Sequence, residues 1–254
     1  MASFIDLNCD MGESFGVYRH GADEEMIPLI TSANLACGFH AGDPVVMRRS
    51  VQLARNHGVA VGAHPGFPDL SGFGRRYLHV RPSDLKDYVT YQIGALGAFC
   101  RASGVRLHHV KPHGALYTMA LKDEAVSGAV VEAVLEQDDT LLLYTTAGTA
   151  TEDVARRRGL RVVREFFGDR PLGGDGWVMF GYNIDDVGGG APEGIARRVV
   201  EVVLQGKTKT LCGQTVDMEV DTVCIHSDTP GATRFMAAIR QALEAEGVTI
   251  RPVG

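Results

Sequence analysis

A lysine and a histidine stand two residues apart in the segment 110–117, VKPHGALY, at the end of the extended-type run Leu107-His108-His109-Val110. Side chains two apart on a strand share a face, so Lys111 and His113 are expected to point into one space. Pro112 cannot donate a ladder hydrogen bond and Gly114 follows, so the strand is expected to stop there. An ammonium and an imidazole placed together can move a proton and stabilise developing negative charge. Such a pair becomes a site only if other strands end the same way.

Strand-like runs occur at 4–10, 32–38, 59–64, 107–113, 141–146, 160–167 and 222–226. The first of them, FIDLNCD, alternates apolar and polar residues. Helical stretches separate the runs. A short one fits 23–31, and another opens with Asp43 as N-cap and Pro44 as first helical residue and stops near Gly58. From Pro82 onward, Leu85, Val89, Ile93, Leu96 and Phe99 recur at helical spacing. Further helices are expected around 126–134, 152–158, 192–205 and 235–243, and residues 210–218 fit a small hairpin. This alternation predicts a single α/β domain with a parallel sheet, either open and doubly wound or closed into a barrel.

The strand ends are polar throughout. The first run ends at Asn8, Asp10 and Glu13, the second at His40 and Asp43, and the third at His64 and Asp69. The fourth carries Lys111 and His113, the fifth Thr145 and Thr146, the sixth Glu165 and Asp169, and the seventh His226 and Asp228. Active sites of α/β barrels are assembled at the carboxyl ends of several strands at once. On this pattern Asp10 or His113 is the candidate general base, and Lys111 the group that stabilises an oxyanion or phosphoryl charge. Asn8, Glu13, His40, Asp43, His64, His226 and Asp228 are candidates for binding substrate. Arg75 and Arg76, on a Gly-rich loop, offer guanidinium forks for a carboxylate or phosphate.

Plain structural roles compete with several of these. Asp43 fits an N-cap equally well, Asp10 can tie down its loop, His64 can bond to backbone, and the two arginines can be a solvated pair. Lys111 resists such a role, because an inward-pointing lysine is rarely structural unless paired. Asp10, His40, His64 and His113 also form a pool of ligands for a divalent metal, although spacing alone does not say whether they meet. Gly206-Lys207-Thr208 is no P-loop, because the required first glycine falls on Glu201. No His-Glu-x-x-His helix is present.

The 254 residues suffice for a substantial core, and a composition of 45% hydrophobic and 22% charged residues is that of a globular protein. A formal net charge of -6 argues against nonspecific nucleic-acid binding and against adhesion to anionic membranes. Five cysteines with no Cys-x-x-Cys spacing, no leader pattern and no long apolar run point to reduced thiols and a cytoplasmic protein. Self-association is left open.

The segments 5–16 (IDLNCDMGESFG), 31–51 (TSANLACGFHAGDPVVMRRSV), 58–76 (GVAVGAHPGFPDLSGFGRR), 91–99 (YQIGALGAF), 108–117 (HHVKPHGALY) and 224–232 (CIHSDTPGA) resemble the LamB/YcsF family. Its members are the A-type subunits of prokaryotic ATP-dependent 5-oxoprolinase. The resemblance implies a (β/α)7 barrel, a distorted TIM-like form similar to the polysaccharide-deacetylase group. It also implies cleavage of 5-oxoproline to L-glutamate, with ATP as cosubstrate, giving ADP and phosphate, alongside partner subunits B and C. Two other functions compete: a metal-dependent deacetylase or amidohydrolase acting on a related cyclic amide or carbohydrate, and a non-catalytic subunit that presents substrate to its partners.

The chain departs from the family pattern in one place. The family has a tyrosine soon after the Asp-Arg of the sixth-strand loop, then Asp-Gly-x-Leu-Val-x-Arg. Here Asp169-Arg170 runs into Pro171-Leu172, and Asp175-Gly176 into Trp177-Val178-Met179-Phe180-Gly181. If the tyrosine and arginine missing from the loop 168–190 contact substrate in the family, another lactam or cyclic amide, or a related pathway, is expected here.

Overall fold

The computed structural model describes residues 4–179 and 181–254; Phe180, in the atypical loop, and the opening Met-Ala-Ser lie outside the described residues. Seven parallel strands form the sheet. They are β1 (Phe4–Met11), β2 (Ser32–Ala36), β3 (Ala60–His64), β4 (Leu107–Val110), β5 (Leu142–Thr145), β6 (Val162–Phe167) and, after the antiparallel hairpin β7 (Lys207–Lys209) and β8 (Thr215–Asp217), β9 (Thr222–Cys224). Because β9 pairs in parallel with both β6 and β1, the sheet closes into a barrel. A last strand, β10 (Thr249–Ile250), pairs with the first residues of β1 outside the ring.

The helices are α1 (Asp23–Met26), α2 (Pro44–His57), α3 (Pro82–Ala102), α4 (Gly114–Ala120), α5 (Glu124–Gln137), α6 (Ala150–Arg157), α7 (Pro192–Gln205) and α8 (Ala232–Ala245). Local chemistry sets several of their ends. The side chains of Asp43, Asp123 and Thr149 accept hydrogen bonds from first-turn amides of α2, α5 and α6. Gly58 and Gly206 take the left-handed conformation that ends α2 and α7. Among the described residues no helix is long and apolar enough to cross a membrane, and all five cysteines are free.

The alternation in the first strand has a clear outcome. Ile5, Leu7, Cys9 and Met11 join the buried apolar cluster, while Asp6, Asn8 and Asp10 are buried among polar side chains of other strands. Asp6 accepts hydrogen bonds from Thr31 (2.6 Å), Ser32 (2.8 Å), Tyr144 (3.0 Å) and Thr222 (2.6 Å). Asn8 donates to Thr222 and accepts from Asn34, both at 2.8 Å. Barrel interiors are usually filled by branched apolar residues. This one carries a hydrogen-bonded polar column instead, and a polar group buried there is tolerable because it is paired.

His109 belongs to that column, bonding Asn34 at 2.7 Å and stacking on Tyr144 with centroids 4.1 Å apart. Gly62 on β3 makes room for it, since a Cβ at that position would sit 2.1 Å from the imidazole Nε2. Gly62→Ala is therefore expected to destabilise the chain by about 1–3 kcal/mol through overpacking, measured by thermal or urea unfolding. Wild-type stability would contradict this packing.

Three expectations need correction. The fourth strand ends at Val110, so Lys111 and His113 lie just beyond it. Their backbone nonetheless continues alongside β3, with Lys111 N bonding Ala63 O at 2.9 Å and His113 N bonding Pro65 O at 2.8 Å. The shared face survives the end of the strand. Helix α4 begins directly at Gly114, where the sequence carried only a break. The helix expected at 23–31 is one α-turn followed by the 3-10 turn Ile27–Leu29, consistent with Pro28 having no amide to continue an α-helix.

Candidate active site

Lys111 occupies the centre of the polar column's upper end and is 1% exposed. Its Nζ lies 2.9 Å from Asp10 Oδ1, 2.8 Å from Glu165 Oε1 and 3.1 Å from Cys224 Sγ, with the Phe167 ring centroid 5.1 Å away. Burial penalises the ammonium, but Asp10 foremost, with Cys224 and Glu165, holds its pKa well above the usual lysine value. Its three N–H bonds are donated to Asp10, Cys224 and, at 3.4 Å, Asn8 Oδ1, while Glu165 adds the second ion pair. Lys111 therefore acts as a fixed positive charge beneath the mouth.

Asp10 is the hub. Oδ1 also accepts from Asn34 Nδ2 at 2.9 Å, while Oδ2 lies 3.3 Å from His64 Nε2 and 3.5 Å from His226 Nε2. Burial acts to raise the carboxyl, yet His64, Lys111 and His226 bring it well below the usual carboxylate range. A carboxylate so stabilised is a weak base. His226 faces the hub from the other side. Its Nδ1 is held 3.1 Å from Asp169 Oδ1, its backbone amide donates to Asp169 Oδ2, and its Nε2 faces Asp10. A carboxylate that orients an imidazole through one nitrogen leaves the other to work, the logic of an aspartate–histidine dyad.

A second group lies beside the hub. His64 Nε2 and His113 Nδ1 are 2.9 Å apart, and Glu13 Oε1 is 3.6 Å from His113 Nδ1 and 3.5 Å from His40 Nε2. His40 stacks on His113 with ring centroids 3.7 Å apart and planes within 2°. Burial, with nearby Asp10 and Asp228, pushes the Glu13 carboxyl well above its usual value. Burial also lowers His40 and His113 well below the usual imidazole value. Ligand atoms of Glu13, His40, His64 and His113 all lie within 4.8 Å of one another, as do those of Asp10, Cys224 and His226, so either group is a possible metal-binding cluster.

Loops roof this site. Phe73, in the left-handed region at φ 53°, accepts a hydrogen bond from His113 Nε2 at 2.8 Å through its carbonyl. Its ring lies against His20, His40 and His113. Arg75 bonds Asp228 at 2.8 Å and joins the loop after β3 to the loop after β9. Burial would raise the Asp228 carboxyl, but His20, His226 and Arg75 hold it below its usual range.

Asn8, Asp10, Glu13, His40, His64, Lys111, His113 and His226 thus come together, with Arg75 and Asp228 over them. Two expected site residues do not join. Asp43 directs both carboxylate oxygens to backbone amides, Oδ1 to Val45 and Val46 and Oδ2 to Gly16. Arg76 closes its fork on Asp69, stapling its own loop.

Glu165, Asp169, Cys224 and Asn34 join the site without having been expected as catalytic or binding residues. Period two marks two of them. Asn34 lies two residues from Ser32, and Cys224 lies between Thr222 and His226 at the same spacing. In the atypical loop Arg170 pairs with Asp169 at 2.8 Å and meets the hydroxyl of Tyr182, a tyrosine later in the chain than the family pattern has it.

Comparison with known proteins agrees with this architecture. A family model described as LamB/YcsF matches residues 5–254. A protein of Symbiobacterium thermophilum, named as the A-type subunit of 5-oxoprolinase, is 52% identical, the match covering 98% of this chain and 95% of that protein. The protein of the same name from Pyrococcus furiosus is 48% identical, with 98% of each chain covered. The crystal structure of a lactam utilization protein from Thermus thermophilus superposes with a TM-score of 0.89 at 46% identity, covering 98% of this chain and 100% of that one. At 12% identity and a TM-score of 0.51, the catalytic domain of a peptidoglycan N-acetylglucosamine deacetylase from Eubacterium rectale shares the fold, across 99% of this chain and 89% of that one. This chain belongs to the LamB/YcsF family.

Proposed function

We propose that this chain is one component of an ATP-dependent lactam hydrolase in which 5-oxoproline is opened to L-glutamate, with ADP and phosphate formed in a complex with subunits B and C. The convergence of Asp10, Lys111, His64, His113 and His226 at the carboxyl ends of the strands carries the proposal. The names of the relatives support it. An unstrained lactam is a resonance-stabilised amide with a poor leaving group, so coupling to ATP is a chemically reasonable activation.

Each group has a role in the proposed reaction. Lys111 and Asp10 form a fixed ion pair whose positive end stabilises charge developing on the carbonyl oxygen or on a phosphoryl group. His226, oriented by Asp169, carries the proton between water and the departing ring nitrogen. Arg75 is the cation available to the substrate carboxylate once it leaves Asp228. Asn8 holds the floor through Asn34 and Thr222.

The test is release of glutamate from 5-oxoproline with ATP, measured for this chain alone, for subunits B and C alone, and for all three. Turnover only with all three supports the proposal. Equal turnover without this chain would remove it.

A further inference from the structure

The nitrogen atoms of His64 and His113 have a geometry that needs a third party. His64 Nδ1 lies 2.7 Å from the Lys111 carbonyl and His113 Nε2 lies 2.8 Å from the Phe73 carbonyl. A carbonyl only accepts, so each of those nitrogens carries the hydrogen, and in neutral rings the other nitrogen is bare. Those two bare nitrogens, His64 Nε2 and His113 Nδ1, face each other at 2.9 Å with the ring planes 88° apart. Two lone pairs at that distance repel unless something positive lies between or beside them.

The neighbouring Glu13 Oε1 is buried, has no hydrogen-bond partner and lies 3.6 Å from His113 Nδ1. Nitrogen and oxygen ligands about 2.0–2.1 Å from a tetrahedral ion lie about 3.3 Å from one another, between the 2.9 Å from His113 Nδ1 to His64 Nε2 and the 3.6 Å from His113 Nδ1 to Glu13 Oε1. Charge points the same way. Asp10 and Glu165 are two buried carboxyl groups on one ammonium, Lys111, and a dication beside the buried Glu13 would favour its ionised form. A proton shared by the two imidazoles would relieve their repulsion but leave Glu13 Oε1 unpartnered.

We propose that Glu13, His64 and His113 bind one divalent ion of the zinc class, with a fourth position open to water or substrate. Two imidazoles and a carboxylate select a borderline transition ion over magnesium or calcium, which take oxygen ligands. His40 stands outside the set. Its ring is parallel to His113 and stacked on it, so an ion in the plane of the His113 ring is out of the plane of the His40 ring. When bound, such an ion would polarise an amide carbonyl or lower the pKa of its water. The inference concerns the site of the proposed lactam reaction, but its readout is metal binding without substrate, so the two can fail separately.

The experiment is a zinc titration of the chelator-treated chain by calorimetry, with elemental analysis after dialysis and magnesium as the comparison. One zinc per chain is expected. Binding should weaken by more than ~100-fold in His64→Ala and in His113→Ala, whereas His40→Ala should still bind one ion. Cobalt binding to the wild-type chain, read from its visible absorption, is independent of how well the variants fold and should show the intense bands of a four- or five-coordinate site. Absence of stoichiometric zinc and of those bands would overturn the proposal in favour of a shared proton. Unchanged affinity in both folded histidine variants would overturn it as well.

Discussion

Lys111→Met is expected to destabilise the chain by about 3–5 kcal/mol, because it leaves two buried carboxyl groups without their cation. For a chain of this size that corresponds to a fall in Tm of roughly 6–20 °C. Methionine nearly matches lysine in length, so the loss would come from charge rather than from a cavity. The energetics of buried ion pairs also predict the sign of a rescue. Removing one partner is costly, while removing charge from both sides is often tolerated, so Lys111→Met combined with Glu165→Gln should recover part of the loss. Wild-type stability in the single variant would mean that Asp10 and Glu165 are not held as described. Glutamate release by the reconstituted complex should also collapse, since the fixed positive charge beneath the mouth is gone.

Asp169→Ala is the second large effect. Its carboxylate takes hydrogen bonds from Arg170 Nη1 at 2.8 Å, Thr229 Oγ1 at 2.6 Å and the His226 amide at 3.1 Å, and orients His226 Nδ1 at 3.1 Å. Deleting it leaves the buried Arg170 guanidinium with only the more distant Asp228 carboxylate, at 3.8 Å, and frees the imidazole, at a cost of about 3 kcal/mol. Burial acts to raise this carboxyl, but His226 and Arg170 lower it from 3.8 to about 2. The depressed folded-state value fixes the pH window. The contribution is full above the unfolded value near pH 4 and is lost as pH falls towards 2, an amount of roughly 2–3 kcal/mol. Urea unfolding between pH 6 and 2 should show that loss in the wild type and a flatter profile in Asp169→Ala. Parallel profiles would contradict the assignment.

The strand–helix alternation and many of the polar strand ends were legible in the sequence because both rest on local rules, whereas closure into a barrel was implied only by the family resemblance. Alternation in FIDLNCD separates Ile5, Leu7 and Cys9 from Asp6, Asn8 and Asp10, and the same period places Thr222, Cys224 and His226 together. The pairing of Lys111 with Glu165 was not legible, since it depends on how far β4 and β6 twist around a closed ring. Nor were the fates of the two neighbouring arginines. Arg75 meets a partner 153 residues away, whereas Arg76 turns back on Asp69 seven residues earlier. Asp43 illustrates the opposite limit: its local capping geometry was evident, and it occupies the whole side chain.

The claim that this chain's barrel mouth opens the lactam is tested most directly by Asp10→Asn, assembled with subunits B and C and assayed for ATP-dependent glutamate release. Asparagine keeps the size of the side chain but removes the charge that Lys111, His64 and His226 share. Glutamate release should fall by about 10²–10⁴-fold while the variant still folds and still assembles with its partners. Near-wild-type release from that complex would contradict the account and place the chemistry elsewhere in the assembly.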